Sequence, residues 1–316
     1  MAKVTIAIPT YNRPEFLAQS IKSVLGQTFR DFKIIIFDDG SDFSYPDFLR
    51  QFNDPRIEVR KKEKDGGGNL SNFRKIYNFQ FDTDYLVIFH DDDYMHPSLL
   101  EKEIRLMENN ENLVWVGTDL NFVKDHNKME VFAPVPKNVG AVATLDAAET
   151  VREILRGFRL CFDSVMYRVK FLADASPTQD RFDKWFDRPY LVSLIGSNRA
   201  AVIKQKLVNY RLHTGQDSVA KRANMDYTDY SKRLFGFYRD CLPQPLDAKD
   251  AKLFSSFTSN NSLSLALAES GSWAEFKENI ADLGKEGFFS ISSLNFRGCY
   301  YFTRILLKKL YAGKRQ

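Results

Sequence analysis

Short apolar segments alternate with amphipathic ones through the first 120 residues of the chain. The apolar or alternating runs that predict β-strands are Val4–Ile8, Phe32–Phe37, Arg56–Arg60, Tyr85–Phe89 and Leu113–Gly117. Segments with apolar residues at helical spacing begin near Pro14, Asn69 and Pro97. Because strands and helices alternate, the pattern predicts an α/β fold with a mostly parallel sheet flanked by helices.

The regular alternation stops after about residue 120. Residues 125–145 are expected to form a loop or an irregular insertion. The later predictions are a helix over Ala147–Phe158, a strand over Cys161–Arg168, a helix over Thr178–Ile195 broken near Pro189, and a strand over Ala200–Leu212. We therefore predict one α/β domain over residues 1–220, with halves 1–120 and 121–220, and a mainly helical region over 221–316.

Three polar segments follow predicted strands directly. They are Pro9–Arg13, Asp38–Ser41 and Asp91–Asp93. Since the carboxyl ends of parallel strands meet at one sheet edge, where open α/β sheets bind ligands, we expect these segments to converge. Three adjacent carboxylates repel one another, and a hard divalent cation such as Mg²⁺ or Mn²⁺ removes that cost. The run therefore predicts a metal–diphosphate site.

Composition excludes several classes of protein. The 316 residues are 44% hydrophobic and 27% charged, which is typical of a globular chain. A net charge of +4 makes no case for nucleic acid as a partner. Three distant cysteines indicate neither a disulfide framework nor a metal knuckle. With no signal-peptide pattern and no membrane-spanning run, we expect a cytoplasmic protein.

The end of the chain is amphipathic and basic. Apolar residues of Phe296–Tyr311 share one helical face, while arginines and lysines there and in the last residues supply positive charge. Such a helix suits peripheral contact of residues 296–316 with the inner face of a plasma membrane. Docking on the protein's own domain or on another subunit accounts for the pattern equally well.

Common nucleotide-binding fingerprints are missing. Gly66–Gly68 follows a charged stretch and lacks the GxGxxG spacing directly after a first strand, and the chain has no GxxxxGK[ST] loop. Four other segments together resemble the family 2 glycosyltransferases of GT-A fold: Ile6–Pro14, Ser23–Phe29, Phe37–Ser41 and Phe89–Pro97. The resemblance is specific through about residue 120 and looser to about 220. It implies a nucleotide-sugar donor, often UDP-linked, and a divalent metal.

The resemblance also implies roles for residues at the first strand ends. Tyr11 matches the residue that stacks on the base, in a pocket shaped by Pro9 and Thr10. Asp39 matches the aspartate that accepts the base N–H, with Asp38 beside it. Further nucleotide contacts are expected from Arg13, Asn72 and Arg74. Ordinary structural roles stay open, since Asp38–Ser41 also suits a turn and Asn72–Arg74 a plain helix start.

The acidic run departs from the common Asp-x-Asp-Asp form of this family, because His90 takes the place of the first aspartate. Counted back from Pro97, Asp92 matches the usual metal ligand. Asp91 then lies near ribose or metal, and Asp93 contacts the metal or orients its ligands. His90 itself is either a ligand or a packed histidine. Acids that suit a helix dipole are the structural alternative for the run.

Family 2 enzymes invert the anomeric centre in one displacement, which requires a carboxylate to take the acceptor proton. The resemblance places this base late in the domain, before a helix rich in aromatic and apolar residues. Asp187 is the preferred candidate and Asp183 the second. The structural alternative is that Asp187 only caps the helix that begins near Pro189.

A later segment, Tyr210–Ser218, resembles one that follows the base in many bacterial members. His213 is its candidate ligand for metal or diphosphate, and Arg211 its candidate diphosphate partner. A structural histidine on a loop is the alternative.

The resulting hypothesis is an inverting, metal-dependent glycosyltransferase that transfers a sugar from a UDP-sugar to a saccharide or lipid-linked acceptor, in bacterial surface polysaccharide synthesis. A non-catalytic nucleotide-sugar-binding protein and a sugar nucleotidyltransferase are the alternatives. The segment Pro9–Arg13 argues against the latter, because nucleotidyltransferases usually carry a glycine-rich basic loop there.

Overall fold

The computed structural model describes residues 2–61, 68–124, 128–132, 142–174, 176–213, 216, 227–269 and 273–294. Contacts between Cα atoms divide the chain into two compact units. The first comprises Met1–Thr150 and Arg159–Ala220, and the second comprises Val151–Phe158 and Lys221–Gln316. The sequence-predicted basic helix at 296–316 lies outside the described residues, as do Gly66 and Gly67.

The first unit is built on a sheet. Its described strands are β1 (Val4–Thr10), β2 (Phe32–Asp38), β3 (Ile57–Lys61), β4 (Tyr85–Ile88), β5 (Tyr94–Met95), β6 (Leu113–Val123), β7 (Val142–Leu145), β8 (Val165–Arg168) and β9 (Arg199–Arg211). The order is β3-β2-β1-β4-β8-β6-β9-β5, and β7 also pairs with β9. Strands β1 to β4 are mutually parallel, and β6 and β9 are parallel to each other. Strand β8 runs antiparallel to β4 and β6 and joins the two parallel parts.

Helices accompany the strands in the first unit. They are α1 (Pro14–Leu25), α2 (Tyr45–Leu49), α3 (Gly68–Tyr77), α4 (Leu99–Asn109), α5 (Ala147–Leu155), α6 (Ser176–Phe182) and α7 (Asp187–Ile195), with α5 running on into the second unit. Apart from α5, the second unit contains α8 (Tyr227–Asp240), α9 (Ala248–Glu269) and α10 (Trp273–Lys285).

The central strands are apolar because they are covered on both faces. All seven residues of β1 and all four of β4 are buried. Helix α1 begins at Pro14, whose fixed φ suits a first turn, and it buries Leu17, Ile21 and Val24 on one face. This packing fixes the ends of β1, β2 and β4 at one edge of the sheet, and the polar segments begin there.

The break in the predicted helix over Thr178–Ile195 lies before Pro189 and not at it, so its predicted position is wrong. Helix α6 ends at Phe182, a single 3₁₀ turn spans Asp183–Trp185, and α7 then begins at Asp187. Asp183 has a φ of 48°, in the left-handed region, and this interrupts the helix. Pro189 lies inside the first turn of α7, where its missing N–H has no helical acceptor to lose.

Two other expectations need correction. The first residues of the predicted Cys161–Arg168 strand form a 3₁₀ turn at Phe162–Ser164, and β8 begins only at Val165. Within the expected irregular insertion 125–145, Val142–Leu145 forms strand β7, antiparallel to β9. Residues 125–127 and 133–141 of that insertion lie outside the described part of the chain.

Aromatic residues form the core of the second unit. Phe235 of α8 packs edge-on to Phe257 of α9 and to Phe288, with ring centroids 6.2 and 5.5 Å apart. A neighbouring cluster joins Leu263 and Phe276, which are 1% and 3% exposed. This helical architecture agrees with the pattern expected beyond residue 220. None of the helices in the described part of the chain combines the length and apolar character needed to cross a membrane.

Candidate active site

The strand ends bring the three polar segments into direct contact. Thr10 pairs in register with Asp38 across β1 and β2, and its carbonyl accepts the N–H of Asp39 at 3.1 Å. The Thr10 hydroxyl donates to Oδ2 of Asp91 at 2.7 Å. The buried end of β1 therefore links the predicted base-binding turn to the acidic run.

The turn after β2 is held by its own side chains. Asp38 is 1% exposed and accepts hydrogen bonds from both the backbone N–H and the hydroxyl of Ser41. The Ser41 hydroxyl in turn accepts from the N–H of Asn12 at 2.8 Å. Asp38 thus organises the turn, while Pro9 is buried in β1 and Tyr11 is only partly buried beyond it.

Cationic and neutral donors surround the first two aspartates of the run. Nη1 of Arg13 lies 3.1 Å from Oδ2 of Asp92 and 3.4 Å from Oδ1 of Asp91. Nε2 of His213 lies 2.9 Å from the same Asp92 oxygen. Asp91 is 5% exposed, and burial together with the charge of Asp92 raises the pKa of its carboxyl above the ordinary value. Packing these acids together is costly, and the donors offset part of that cost.

Asp93 is the most deeply buried member of the run, at 0% exposed. Its two oxygens contact Nδ1 of His90 at 3.1 Å and the backbone N–H of Arg211 at 2.8 Å. Burial, and then the charge of Asp92, raises the pKa of Asp93. The run is therefore fixed from both sides, by the residue before it and by the end of β9.

Arg211 is fully buried beside the run. Its Nε donates to the carbonyl of Asp92 at 2.6 Å, its Nη2 donates to Gln19 at 2.5 Å, and its guanidinium stacks on Phe16 at 4.6 Å. Its Nη1 has no hydrogen-bond partner among the described residues. Burial lowers the pKa of Arg211, while the charges of Asp92 and Asp93 oppose that shift. The side chain thus positions the acidic run directly.

Asp187 is the first residue of α7, so it lies in the helix rather than before it. Burial raises the pKa of its carboxyl above the ordinary 3.8, while Arg188 and His90 lie close enough to lower it. A partly buried acid with a raised pKa beside the acidic run suits proton transfer. Asp183 lies one turn earlier, in the strained conformation that separates α6 from α7.

Arg74 of α3, an expected nucleotide contact, makes its described contacts with α6. Arg74 donates from Nε to Gln179 of α6 at 2.6 Å and pairs with Asp180. The contacts described for Arg74 thus tie α3 to α6 and include no residue of the acidic run. Phe73 is the residue of α3 near the run, with its ring 6.1 Å from that of His90. For Asn72 the structure describes only the backbone, so the predicted contact of its side chain lies outside the description.

Sequence reasoning missed two residues close to the run. Cys161 and Asp163 precede β8 and lie close to His90 and Asp93, and Asp163 is fully buried. Burial raises the pKa of the Asp163 carboxyl, and Asp93 raises it further. No sequence motif indicates these residues, because a 3₁₀ turn about 70 residues after the run brings them close to it.

The donor set fits a divalent cation. His90, Asp92 and Asp93 each offer one ligand atom, and these three atoms lie within 4.8 Å of one another. His213 contacts Asp92 directly, and Arg13 bridges Asp92 to Asp91. Carboxylate oxygens with an imidazole nitrogen suit Mn²⁺, and carboxylate oxygens suit Mg²⁺.

The family model of glycosyl transferase family 2 matches residues 5–159. Residues 5–159 belong to glycosyl transferase family 2. The segment contains Thr10, Arg13 and the whole acidic run, so the predicted family is confirmed where the resemblance was most specific. Asp187, Arg211 and His213 lie beyond it.

Similar proteins agree with this assignment. An uncharacterized glycosyltransferase of Rickettsia conorii is 26% identical over 233 residues, which cover 68% of this chain and 35% of that protein. The succinoglycan biosynthesis protein ExoW of Rhizobium meliloti is 33% identical over 104 residues, or 32% of each chain. This chain thus matches about a third of the length of these two curated relatives.

A solved structure is similar in fold to this chain. The structure of S. aureus TarS 1-349 in complex with UDP-GlcNAc aligns with a TM-score of 0.63 at 15% identity, covering 94% of this chain and 82% of that one. The likeness confirms the predicted GT-A type of fold, with a sheet flanked by helices and a helical C-terminal part.

Proposed function

We propose that this protein is an inverting glycosyltransferase that uses a nucleotide-sugar, with a UDP-sugar as the expected donor. The observation that carries the proposal is the joined set of Thr10, Arg13, His213 and the acidic run, with the raised-pKa carboxyl of Asp187 beside it. A diphosphate needs cationic partners and a cation site, and an acceptor hydroxyl needs a base. The described edge of the sheet offers both.

The nucleotide is expected at the ends of β1 and β2. Tyr11 is only partly buried and can offer its ring to a base, while Asp39 is fixed through its N–H to Thr10 and offers a carboxylate for a base N–H. Arg13, just before α1, carries the positive charge nearest to the acidic run on this side. The planar guanidinium of arginine matches phosphate oxygens, so Arg13 is the expected diphosphate contact here.

Asp92, with Asp91, Asp93 and His213, would hold the divalent cation. A bound Mg²⁺ or Mn²⁺ supplies charge neutralisation for the departing diphosphate. Arg211 fixes the geometry through the carbonyl of Asp92 and the carboxylate of Asp93. We assign its Nε and backbone N–H to positioning. Its Nη1, which has no hydrogen-bond partner among the described residues, stays the candidate donor to the diphosphate.

Asp187 is proposed to act as the base. Its carboxylate takes the proton of the acceptor hydroxyl while that oxygen forms a bond to the anomeric carbon. The bond from that carbon to the diphosphate oxygen breaks in the same step, and the electron pair leaves with the nucleoside diphosphate. A raised pKa makes Asp187 a stronger base than a solvated carboxylate. Inversion follows from the single displacement.

The acceptor is proposed to be a saccharide or a lipid-linked saccharide of a bacterial surface polysaccharide. One similar protein supports this class, because ExoW is a succinoglycan biosynthesis protein. The structure of TarS with UDP-GlcNAc supports a UDP-sugar as the donor. The identity of the transferred sugar is left to experiment.

The proposal is tested with a panel of UDP-, GDP- and other nucleotide-sugars in the presence of Mn²⁺. Release of nucleotide is followed with and without EDTA, and donor affinity is measured by calorimetry. We expect one class of donor to bind in a metal-dependent way, with slow release of nucleotide that increases when a suitable acceptor is added.

Two variants make the test specific. Asp92→Ala is expected to abolish metal-dependent release, and Asp240→Ala, at an exposed position of α8, is the matched control that keeps it. Binding without release, even with lipid-linked acceptors supplied, would instead favour a nucleotide-sugar-binding protein. If no nucleotide-sugar binds to the folded protein, the proposal is refuted.

A further inference from the structure

A second group of potential ligands lies around His90, apart from the aspartates that follow it in the sequence. His90, Cys161 and Asp163 each contribute one ligand atom, and these atoms all lie within 4.8 Å of one another. Ligand atoms of a tetrahedral zinc ion at bond lengths of about 2.0–2.3 Å are about 3.5 Å apart. A cation between the three groups therefore requires an approach of only about 1 Å.

Asp163 is the observation that points to a ligand. The residue is 0% exposed. Neither of its carboxyl oxygens has a hydrogen-bond partner of regular geometry among the described residues, and the Asp93 carboxyl and the Cys161 thiol lie beside it. An unpaired buried carboxylate is among the costliest groups a fold retains. Its neighbour Asp93 is a second buried acid, which increases that cost. A cation removes the cost for Asp163 directly.

Local structure holds the three groups close together. Cys161 and Asp163 lie two residues apart across the 3₁₀ turn at Phe162–Ser164, and this turn is closed by the bond between the Ser164 hydroxyl and the Cys161 carbonyl at 2.9 Å. His90 is held by Nδ1 against Asp93 at 3.1 Å. That bond leaves Nε2 for a metal, and a carboxylate on the other nitrogen is the usual support of a metal-bound histidine.

The chemistry of the donors differs from that of the acidic run. A thiolate, an imidazole and a carboxylate are together a zinc-type set, whereas Mg²⁺ and Mn²⁺ prefer oxygen. The donors in the two groups that include His90 therefore differ in the cation they favour.

We propose that His90, Cys161 and Asp163 form a site for Zn²⁺ or a similar borderline cation, distinct from the cation of the acidic run. A water would complete the coordination. The bound ion would fix the ring of His90 and thereby the carboxylate of Asp93. This proposal does not depend on the transfer activity.

The test measures zinc in tag-free protein. The protein is incubated with one equivalent of Zn²⁺ in an excess of Mn²⁺ and Mg²⁺, which compete for the oxygen ligands, and is then desalted for elemental analysis. We expect about one zinc per chain for the wild type. Cys161→Ser and Asp163→Asn are expected to weaken zinc binding by at least about 100-fold, because even outer-shell partners contribute about 10–100-fold.

Three controls distinguish this site from the acidic run and from zinc bound at another thiol. Cys241→Ser removes a cysteine of the second unit and Asp92→Ala removes the expected ligand of Mn²⁺, and both are expected to retain the zinc. Cobalt gives an independent readout, because Co²⁺ bound to a thiolate absorbs by charge transfer in the near ultraviolet.

That absorption is expected in the wild type and absent in Cys161→Ser. If folded wild type takes up no zinc and shows no thiolate–cobalt absorption, the proposal is overturned whether or not the variants fold. Zinc uptake that persists in both Cys161→Ser and Asp163→Asn overturns it equally. Neither result bears on release of nucleotide from a nucleotide-sugar, so failure here is distinguishable from failure of the proposed function.

Discussion

The acidic run and helix α4 both bury carboxyl groups, but they treat them in opposite ways. Each aspartate of the run has a donor, from Thr10 for Asp91 to the backbone of Arg211 for Asp93. Glu103 of α4 is 0% exposed, and neither of its carboxyl oxygens has a hydrogen-bond partner in the described part of the chain. Burial alone raises the pKa of Glu103.

These two regions show that burial and organisation are separate properties of a carboxyl group. Burial by itself makes the group costly and keeps it protonated, as at Glu103. Donors placed around the run offset part of the cost of burial, although burial still raises the pKa of Asp91 and Asp93. We therefore expect substitutions in the run to change function and a substitution at Glu103 to change stability.

The largest expected effect is at Asp187, the proposed base. Asp187→Asn keeps the shape of the side chain but cannot accept the acceptor proton. We expect a loss of about 10²–10⁴-fold in kcat with an unchanged donor affinity, measured by steady-state kinetics and calorimetry. Because burial raises the pKa of Asp187, activity of the wild type should rise with pH to a plateau that begins above the ordinary carboxylate range.

Asp183→Asn is the contrast for this variant. A clearly smaller loss at Asp183 than at Asp187 agrees with the assignment. The reverse order would move the role of base to Asp183, and equal donor-binding defects in both would show that the region only supports the fold.

The next effect is at Asp92, which contacts Arg13 and His213. Asp92→Ala removes the central carboxylate of the run. Since a cation contributes several kcal/mol of charge stabilisation, we expect a loss of about 10³-fold in kcat/KM and a loss of Mn²⁺-dependent donor binding. Full activity in this variant, or donor binding by the wild type that EDTA leaves unchanged, would contradict the assignment of the run.

A substitution at Glu103 is expected to increase stability, whereas the substitutions in the site decrease activity. Glu103→Met replaces an unpartnered carboxyl by an apolar side chain of similar volume, so it should raise the free energy of unfolding by about 1–3 kcal/mol at pH 8. Chemical denaturation at several pH values measures the free energy of unfolding of the wild type and the variant. Glu111→Met, at an exposed position just after α4, is the matched control.

The effect of Glu103→Met on the free energy of unfolding should depend on pH. The pKa of Glu103 is higher in the folded than in the unfolded chain, so the penalty is absent below the unfolded pKa and grows as pH rises toward the folded pKa. The gain from Glu103→Met should thus shrink as pH falls toward about 4. A destabilised variant at pH 8 would mean that Glu103 has a partner that stabilises its charge.

The smallest effect is expected at Asp250, a paired carboxylate in the second unit. Arg152 donates to it from Nε at 2.9 Å and from Nη2 at 2.7 Å, and this bond lowers the pKa of Asp250. Asp250→Asn should cost about 1–2 kcal/mol of unfolding free energy at pH 7. The stabilisation is present above the unfolded pKa and is lost as pH falls through the lower folded pKa.

Asp240→Asn is the control for that variant. Its side chain is 72% exposed, so a change within about 0.5 kcal/mol is expected. Equal effects of the two substitutions would show that the Arg152 pair contributes nothing measurable to stability.

The parts of the site that the sequence predicted are those built from consecutive residues. Thr10, Asp38–Asp39 and the acidic run each follow an apolar strand directly, and parallel strands bring such ends together by geometry alone. The mostly helical end of the chain was equally predictable from its periodicity.

The rest depended on contacts between distant residues. Asp163 and Asp93 are about 70 residues apart in the sequence, and Gln19 and Arg211 are 192 apart. No local sequence pattern predicts either contact. The break between α6 and α7 was misplaced because proline is a strong sequence signal, whereas no residue pattern indicates the left-handed conformation of Asp183.

Joint binding of a cation and a nucleotide diphosphate at the acidic run is the property on which the proposed function rests. Anomalous diffraction at the manganese absorption edge, from crystals grown with Mn²⁺ and UDP, tests it directly. We predict an anomalous peak about 2–2.5 Å from a carboxylate oxygen of Asp92, bridging to the diphosphate. Ordered UDP at the ends of β1 and β2 with no manganese at the run, or manganese bound elsewhere in the chain, would contradict it.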